Sequence, residues 1–152
     1  FDRAISDYSN ALTIDPGKSK CGLVVVDSNS KIVDQALVIN TEFLPEYIKN
    51  LKSYEKISQV IIGNGTTSKA NIKKLEFVKE KLIICEEKNT TFRAKERYFE
   101  IFPIVGLKTL IPREIFILNK YLDALSALII LEDYCNAKFT VSKDIDIKTW
   151  MK

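Results

Sequence analysis

The chain of 152 residues has a mildly basic net charge of +3, with 46% hydrophobic and 28% charged residues. This composition is typical of a soluble globular domain, and no window approaches the roughly 18 uninterrupted apolar residues that a membrane-spanning helix needs. Without histidine, Ser-His-Asp and Cys-His catalysis are excluded, and the separated cysteines Cys21, Cys85 and Cys135 offer neither a disulfide framework nor a CxxC metal site. We therefore expect one domain in a reducing cytoplasm, with no membrane partner.

Three short apolar segments open the chain and predict two successive β-hairpins. They are ALTI at 11–14, GLVVVD at 22–27 and KIVDQALV at 31–38, separated by turn-forming residues. From Thr41 the apolar period becomes that of a helix, with Thr41 available as a cap and Pro45 tolerated in the first turn. The apolar face of this predicted helix consists of Leu44, Tyr47, Ile48, Leu51 and Tyr54.

The middle of the chain predicts strands that alternate with helices. QVIIG at 59–63 and LIIC at 82–85 are compact apolar runs suited to buried strands. A helix carrying Ile72, Leu75 and Val78 follows the first run. Thr90 or Thr91 is expected to cap another helix after the second run, extending to about Glu100. Residues 102–120 are irregular, and LDALSALIILEDYC predicts a last helix that ends near Asn136.

This element order predicts an α/β domain with a mixed five-stranded sheet, in which three antiparallel strands precede parallel βα units and helices flank the sheet. We assign residues 1–10 to an N-terminal extension and residues 11–136 to the domain. Residues 137–152 form a C-terminal tail that the sequence leaves open as a short strand, a docking segment or a disordered segment.

Acidic residues fall at comparable depths in this arrangement. Asp15 ends the first strand, Glu86 and Glu87 follow the last core strand, and Asp123 lies in the first turns of the final helix. The carboxyl ends of neighbouring parallel strands share one edge, so we expect these acids to converge. Small residues beside Asp123, namely Ala124, Ser126 and Ala127, allow the helix to approach the sheet closely. Clustered carboxylates favour Mg²⁺ or Mn²⁺, and Mg²⁺ commonly completes its shell with substrate phosphate oxygens.

The segment GNGTTSK, residues 63–69, resembles a phosphate-binding loop but lacks the Walker pattern, because Ser68 and Ala70 stand where glycine and a hydroxyl residue are needed. Phosphate binding through backbone amides and Lys69, or a plain strand-to-helix turn, both stay open. Basic residues flank the predicted site and favour a nucleic-acid partner. They are Lys18, Lys20, Lys69, Lys73, Lys88, Arg93 and Arg97, of which we assign nucleic-acid binding to Lys18, Lys20, Lys69, Lys88 and Arg93.

Four blocks of the sequence together resemble the YqgF group of RuvC-like nucleases, within the ribonuclease H-like fold. The blocks are LTIDPGKSKCGLVVVD, VIIGNGTTSK, EEKNTT followed by Ala94, and LDALSALIILEDY. They follow the family's order and cover about residues 11–135. The resemblance implies a metal-dependent endonuclease for structured DNA or RNA, either a Holliday-junction resolvase-like enzyme or one that processes the 5′ end of the 16S ribosomal RNA precursor.

The resemblance also implies roles for individual residues. Asp15 matches the aspartate of the family's DPG block, Glu87 the glutamate of its DER(L)TT block, and Asp123 the aspartate of its D-x-x-A-A helix. These three residues are the expected catalytic and Mg²⁺ or Mn²⁺ ligands, with Glu86 as a substitute ligand. A metal-activated water would attack phosphorus in line and leave a 5′-phosphate. The protein is expected to be a monomer or a homodimer.

The sequence departs from the family's pattern near two of these blocks. Lys88 stands in place of arginine, Asn89 in place of an apolar residue, and Lys120 and Leu122 lie where relatives often carry a further acid. A diverged, catalytically inactive nucleic-acid-binding domain is therefore the alternative hypothesis. An ATP-binding domain of the actin and sugar-kinase type ranks last, because the chain is too short for two lobes.

Overall fold

A computed structural model describes residues 10–51, 57–65, 68–110, 112, 119–142, 145 and 147–150 of the chain. Within these residues, no helix has both the length and the apolar character needed to cross a membrane. The cysteines Cys21, Cys85 and Cys135 are free thiols.

The centre of the structure is a mixed sheet of six strands. The strands are β1 (Asn10–Asp15), β2 (Lys20–Asp27), β3 (Ile32–Asn40), β4 (Ile57–Gly63), β5 (Leu82–Cys85) and β6 (Ile147–Trp150). Their order across the sheet is β5-β4-β1-β2-β3-β6. The hairpins β1-β2 and β2-β3 are antiparallel, whereas β1-β4, β4-β5 and β3-β6 are parallel. The predicted α/β class, the antiparallel start and the parallel strands that follow it are confirmed.

Four α-helices accompany the sheet in the described part of the chain. They are α1 (Leu44–Lys49), α2 (Ser68–Lys74), α3 (Thr90–Ile101) and α4 (Asn119–Cys135). Short 3-10 turns lie at Thr41–Phe43, Glu76–Val78 and Gly106–Leu110. The helix after Thr41 is shorter than predicted, and the expected face residue Tyr54 lies outside the described residues.

The predicted threonine caps are wrong. Residue Asn89 precedes α3 in a left-handed conformation and makes no side-chain cap, so Thr90 is already the first helical residue. The Thr41 hydroxyl donates a hydrogen bond to the Gly17 carbonyl rather than accepting one from a helical amide. Pro45 does occupy the first turn of α1. The Thr41 side chain therefore ties two loops together instead of starting a helix.

Two apolar layers cover the two faces of the sheet, as the alternation of side chains along a strand requires. Leu12 and Ile14 of β1 pack with α1 and the residues after α2, whereas Ala11 packs on the opposite face with α4 and α3. Strand β1 is buried on both faces because it lies inside the sheet between β4 and β2. The α4 face is the one that carries the candidate site.

The C-terminal segment adds a sixth strand to the five that the sequence predicts. Strand β6 pairs with β3, so the open prediction of a short strand is the one that applies. Phe139 is fully buried in the α4 layer, and its backbone is held by Arg97 and Glu132. Arg97 and Glu132 form a buried ion pair of 3.0 Å between α3 and α4.

Candidate active site

Asp15 is positioned by the end of β1 on the face covered by α4. Alternation along the strand places Asp15 on the same face as Ala11, which contacts the α4 layer. Its register partner across the hairpin is Gly22 of β2. The parallel neighbour β4 ends beside it at Gly63. Asp15 therefore faces a space bordered by two glycines at the carboxyl edge of the sheet.

Glu87, not Glu86, is the acid that β5 delivers to this space. Ile83 and Cys85 pack toward the α4 layer, so the same alternation turns Glu87 inward. The Glu87 amide donates a 3.0 Å hydrogen bond to the Asn64 side chain, which fixes the backbone. The Glu86 side chain is exposed and lies 3.8 Å from Lys88. The structure thus distinguishes two adjacent acids that the sequence left almost equivalent.

Glycine makes room for the Glu87 carboxylate. A methyl group at Gly63 would overlap the Glu87 carboxylate, and one at Gly65 would lie 2.7 Å from Glu87 Oε2. A larger residue at Gly63 would therefore displace the carboxylate. This close approach gives the segment GNGTTSK a further role, because its glycines make room for Glu87. Residues 66 and 67 of that segment lie outside the described residues. Lys69 is exposed, and phosphate binding by this segment stays a prediction.

Asp123 reaches the same edge because α4 lies directly on β2. A methyl group at Gly22 would overlap the backbone carbonyl of Asp123, so only glycine permits this approach. On the helix side, Ala124 and Ala127 are fully buried and Ser126 nearly so, as expected from their small size. The predicted location of Asp123 in the first turns of the helix is confirmed.

The electrostatics show that the three carboxyl groups influence one another. Burial, together with the negative charges of Glu87 and then Asp123, raises the pKa of Asp15 to about 8. Burial also raises the pKa of Glu87, while hydrogen bonding with Asp15 opposes that rise. Burial raises the pKa of Asp123, and the nearby Lys20 opposes it. A pKa of about 8 keeps Asp15 protonated at neutral pH, where it hydrogen-bonds with Glu87.

The surroundings of one buried oxygen of Glu87 show whether a cation would fit this site. No N–H or hydroxyl donor among the described residues reaches Glu87 Oε1. The Asp15 carboxyl hydrogen-bonds with the Glu87 side chain and can donate only when it is protonated. A buried acceptor without a donor is costly, and a divalent cation would satisfy both carboxylates in place of the proton. The donor set is all oxygen, as Mg²⁺ and Mn²⁺ prefer.

The carboxylates do not form a closed metal cage. Across the part of the chain that the structure describes, no group of three Asp, Glu or Cys side chains has the spacing of ligands around one ion. Asp15 and Glu87 hydrogen-bond with each other, whereas Asp123 affects the pKa of Asp15 through its charge. Such a pair suits Mg²⁺, which is commonly held by one or two carboxylates together with substrate phosphates.

The predicted nucleic-acid ligands divide into two groups. Lys18, Lys20 and Lys69 are exposed, and Lys20 acts on the charge of Asp123. Arg93 is instead held by Asp133 through two hydrogen bonds of 2.6 and 2.7 Å. The exposed Lys88 lies near Glu86. Arg97, another member of the basic set, is buried in its pair with Glu132 and does not face solvent.

Three site residues were missed from the sequence, namely Gly22, Gly63 and Asn64. Gly22 and Gly63 lie inside apolar strands, and an isolated glycine in a strand marks a close approach of another group. Asn64 follows the end of a central strand, where polar side chains face the site edge of such sheets. These signals were present, but only the structure shows that they concern Asp123 and Glu87.

No protein-family model matches this sequence, and a comparison with curated proteins finds no significant match.

Proposed function

We propose that this protein is a Mg²⁺- or Mn²⁺-dependent endonuclease of the ribonuclease H-like, YqgF-type class, acting on structured DNA or RNA. The observation that carries the proposal is that Glu87, which hydrogen-bonds with Asp15, has a buried carboxylate oxygen with no hydrogen-bond partner among the described residues. The sheet order, with β1 between a hairpin and two parallel strands, supports the same class. The sequence resemblance supplies the reaction, since the same three acids occupy the family's positions.

Each acid has a distinct task in this proposal. A bound divalent cation would activate water and polarise the phosphodiester. Asp15 and Glu87 would hold this cation once Asp15 has lost the proton that its raised pKa retains. Asp123 adds negative charge from the helix side, while Lys20 limits the repulsion. Asn64 keeps Glu87 in place through its backbone amide.

A diverged, non-catalytic nucleic-acid-binding domain is the second candidate. It is favoured by the open arrangement of the acids, since the described residues hold no closed group of three ligands. The absence of an acid at Lys120 and Leu122 points the same way. This candidate keeps the basic surface and predicts binding without cleavage.

Cleavage of two labelled substrates separates these candidates. A four-way DNA junction and a 16S precursor RNA fragment are incubated with Mg²⁺, Mn²⁺ or a chelator. We expect metal-dependent cutting of one substrate, and a loss of at least about 100-fold in rate for Asp15→Asn and Glu87→Gln, because each removes charge from the cation site. The products should carry 5′-phosphates.

Glu86→Gln is the matched control for Glu87→Gln. It makes the same chemical change one residue away, on a side chain that faces solvent. We expect its cleavage rate to stay within about twofold of wild type. Equal losses in the two variants would contradict the assignment of Glu87, and binding of either substrate without metal-dependent cleavage would support the non-catalytic domain.

A further inference from the structure

A second cleft opens at the same edge of the sheet as Asp15. It has a volume of about 340 Å³ and is lined by Lys18, Ser19, Asn40, Thr41, Glu42 and Lys74. Residue Leu75, next to Lys74, packs in the layer opposite α4. The cleft therefore lies toward the face of the sheet that the carboxylates do not use, with the turn after Asp15 between the two sites.

The turn that borders this cleft is held rigidly. The Thr41 amide donates a 2.9 Å hydrogen bond to the Ser19 carbonyl. The Thr41 hydroxyl donates another of 2.9 Å to the Gly17 carbonyl. A methyl group at Gly17 would overlap the Lys20 carbonyl, which shows how tight the turn is. Lys18 is consequently held on a fixed backbone. The protein therefore loses less backbone conformational entropy when a ligand binds.

The charged residues that line the cleft carry a net positive charge. Lys18 and Lys74 are exposed, and neither belongs to an ion pair among the described residues. Glu42 is the single acid in the lining. The charge of Lys74 opposes the burial that raises the pKa of Cys21, which places Lys74 close to the start of β2. Two lysines thus converge on the cleft from different elements.

We propose that this cleft binds a backbone phosphate of the nucleic-acid strand that passes the Asp15 edge, away from the bond to be cut. Lys18 follows Asp15 by three residues, so the two backbone positions lie at most about 10 Å apart. The cleft would therefore hold a phosphate of the same strand within a few nucleotides of the bond to be cut. The inference rests on the proposed function for the identity of the bound strand.

Binding in the presence of chelator tests the cleft without requiring cleavage. Fluorescence anisotropy would follow a labelled four-way junction and a single-stranded oligonucleotide at several salt concentrations. We expect Lys74→Ala and Lys18→Ala each to weaken binding about three- to tenfold and to reduce the salt slope by about 0.7 to 0.9. Glu42→Gln should strengthen binding by about twofold or more, because it removes the opposing charge.

Lys79→Ala is the matched control. It removes the same charge from a lysine five residues after Lys74, and the Lys79 ammonium lies 3.7 Å from a Glu76 carboxylate oxygen. An equal effect of Lys79→Ala and Lys74→Ala would overturn the proposal, as would no measurable binding by the wild type. Inorganic phosphate that competes at Lys74 while oligonucleotides do not bind would also overturn it. Lysine-dependent binding without cleavage would support the cleft and reject only the nuclease.

Discussion

The two ends of α4 carry charged groups in opposite energetic situations. Asp123 near the start of the helix acts on Asp15, and burial together with the charges of Glu87 and Asp123 raises the pKa of Asp15. Nine residues later, about 14 Å along the helix, Glu132 meets Arg97 in a buried pair. There the Phe139 amide and carbonyl complete the hydrogen bonds of both side chains. We call the carboxylates Asp15, Glu87 and Asp123 the frustrated cluster, because their charges oppose one another. We call Arg97, Glu132 and Phe139 the satisfied cluster, because the charges and hydrogen-bonding groups of these residues are paired.

This difference separates a site from a structural support. A buried ion pair in which both Glu132 oxygens accept hydrogen bonds holds the C-terminal segment against the sheet and leaves little capacity for a ligand. Carboxylates that repel one another destabilise the fold unless a proton or cation intervenes. The cluster of Asp15, Glu87 and Asp123 lies at the edge of the sheet where a ligand would be bound.

The largest expected effect is on the satisfied cluster. Glu132→Ala leaves Arg97 charged, buried and without its carboxylate, and it leaves the Phe139 amide without an acceptor. We expect the free energy of unfolding to fall by about 3–5 kcal/mol. Urea denaturation followed by circular dichroism measures this change.

The double variant Arg97→Met with Glu132→Leu is the control for this prediction. Replacing both charges removes the uncompensated guanidinium, so we expect recovery of more than half of the lost stability. Recovery should be incomplete, because Arg97 also binds the Phe139 carbonyl. A single variant within about 1 kcal/mol of wild type would show that the pair is not a structural support.

An effect of opposite sign is expected at the frustrated cluster. The folded pKa of Asp15, about 8, lies above its ordinary value of 3.8, so the folded state retains a proton that the unfolded state releases. Stability is therefore lost as pH rises from about 4 through about 8. Asp15→Asn mimics the protonated acid, and at pH 9 without metal it should be more stable than wild type. We expect a gain of about 2 kcal/mol, or roughly 4–8 °C in Tm.

Thermal unfolding at pH 5, 7 and 9 in chelator checks this prediction. Asp27→Asn is a useful contrast, because amides of Asn29 and Ser30 lower the pKa of Asp27 and favour its charged form. That variant should lose stability at pH 9. In a parallel series without chelator, Mn²⁺ should raise the Tm of the wild type at pH 9 and have little effect on Asp15→Asn. Destabilisation by Asp15→Asn at pH 9 would contradict the interpretation of the cluster.

The smallest expected effect concerns Asp133, the neighbour of Glu132. Its pair with Arg93 has good geometry, but the two side chains are 39% and 41% exposed. Water and salt screen such pairs, so Asp133→Asn should cost at most about 1 kcal/mol. The loss should shrink further in 0.5 M salt. A loss as large as that of Glu132→Ala would show that burial does not separate the two pairs.

Much of the fold follows from local sequence patterns. The apolar segments of β1 to β5 and the long helix α4 were identified because side-chain periodicity reflects burial. The caps at Thr41 and Thr90 were wrong, since their backbone surroundings depend on distant loops. Strand β6 was left open because four residues carry too little pattern without their partner β3. Arg97 was grouped with the exposed basic residues because its partner Glu132 is 35 positions away.

The sequence by itself determined which acids stand at strand and helix ends, and it placed Asp15 and Asp123 at the same depth of the fold. Only the tertiary structure decided that Glu87 turns inward while Glu86 faces solvent, because β5 must first be paired with β4 and covered by α4. It likewise decided that Gly22 and Gly63 make room for Asp123 and Glu87. Local periodicity is set by neighbours along the chain, whereas side-chain contacts and charge coupling depend on groups that folding alone brings together.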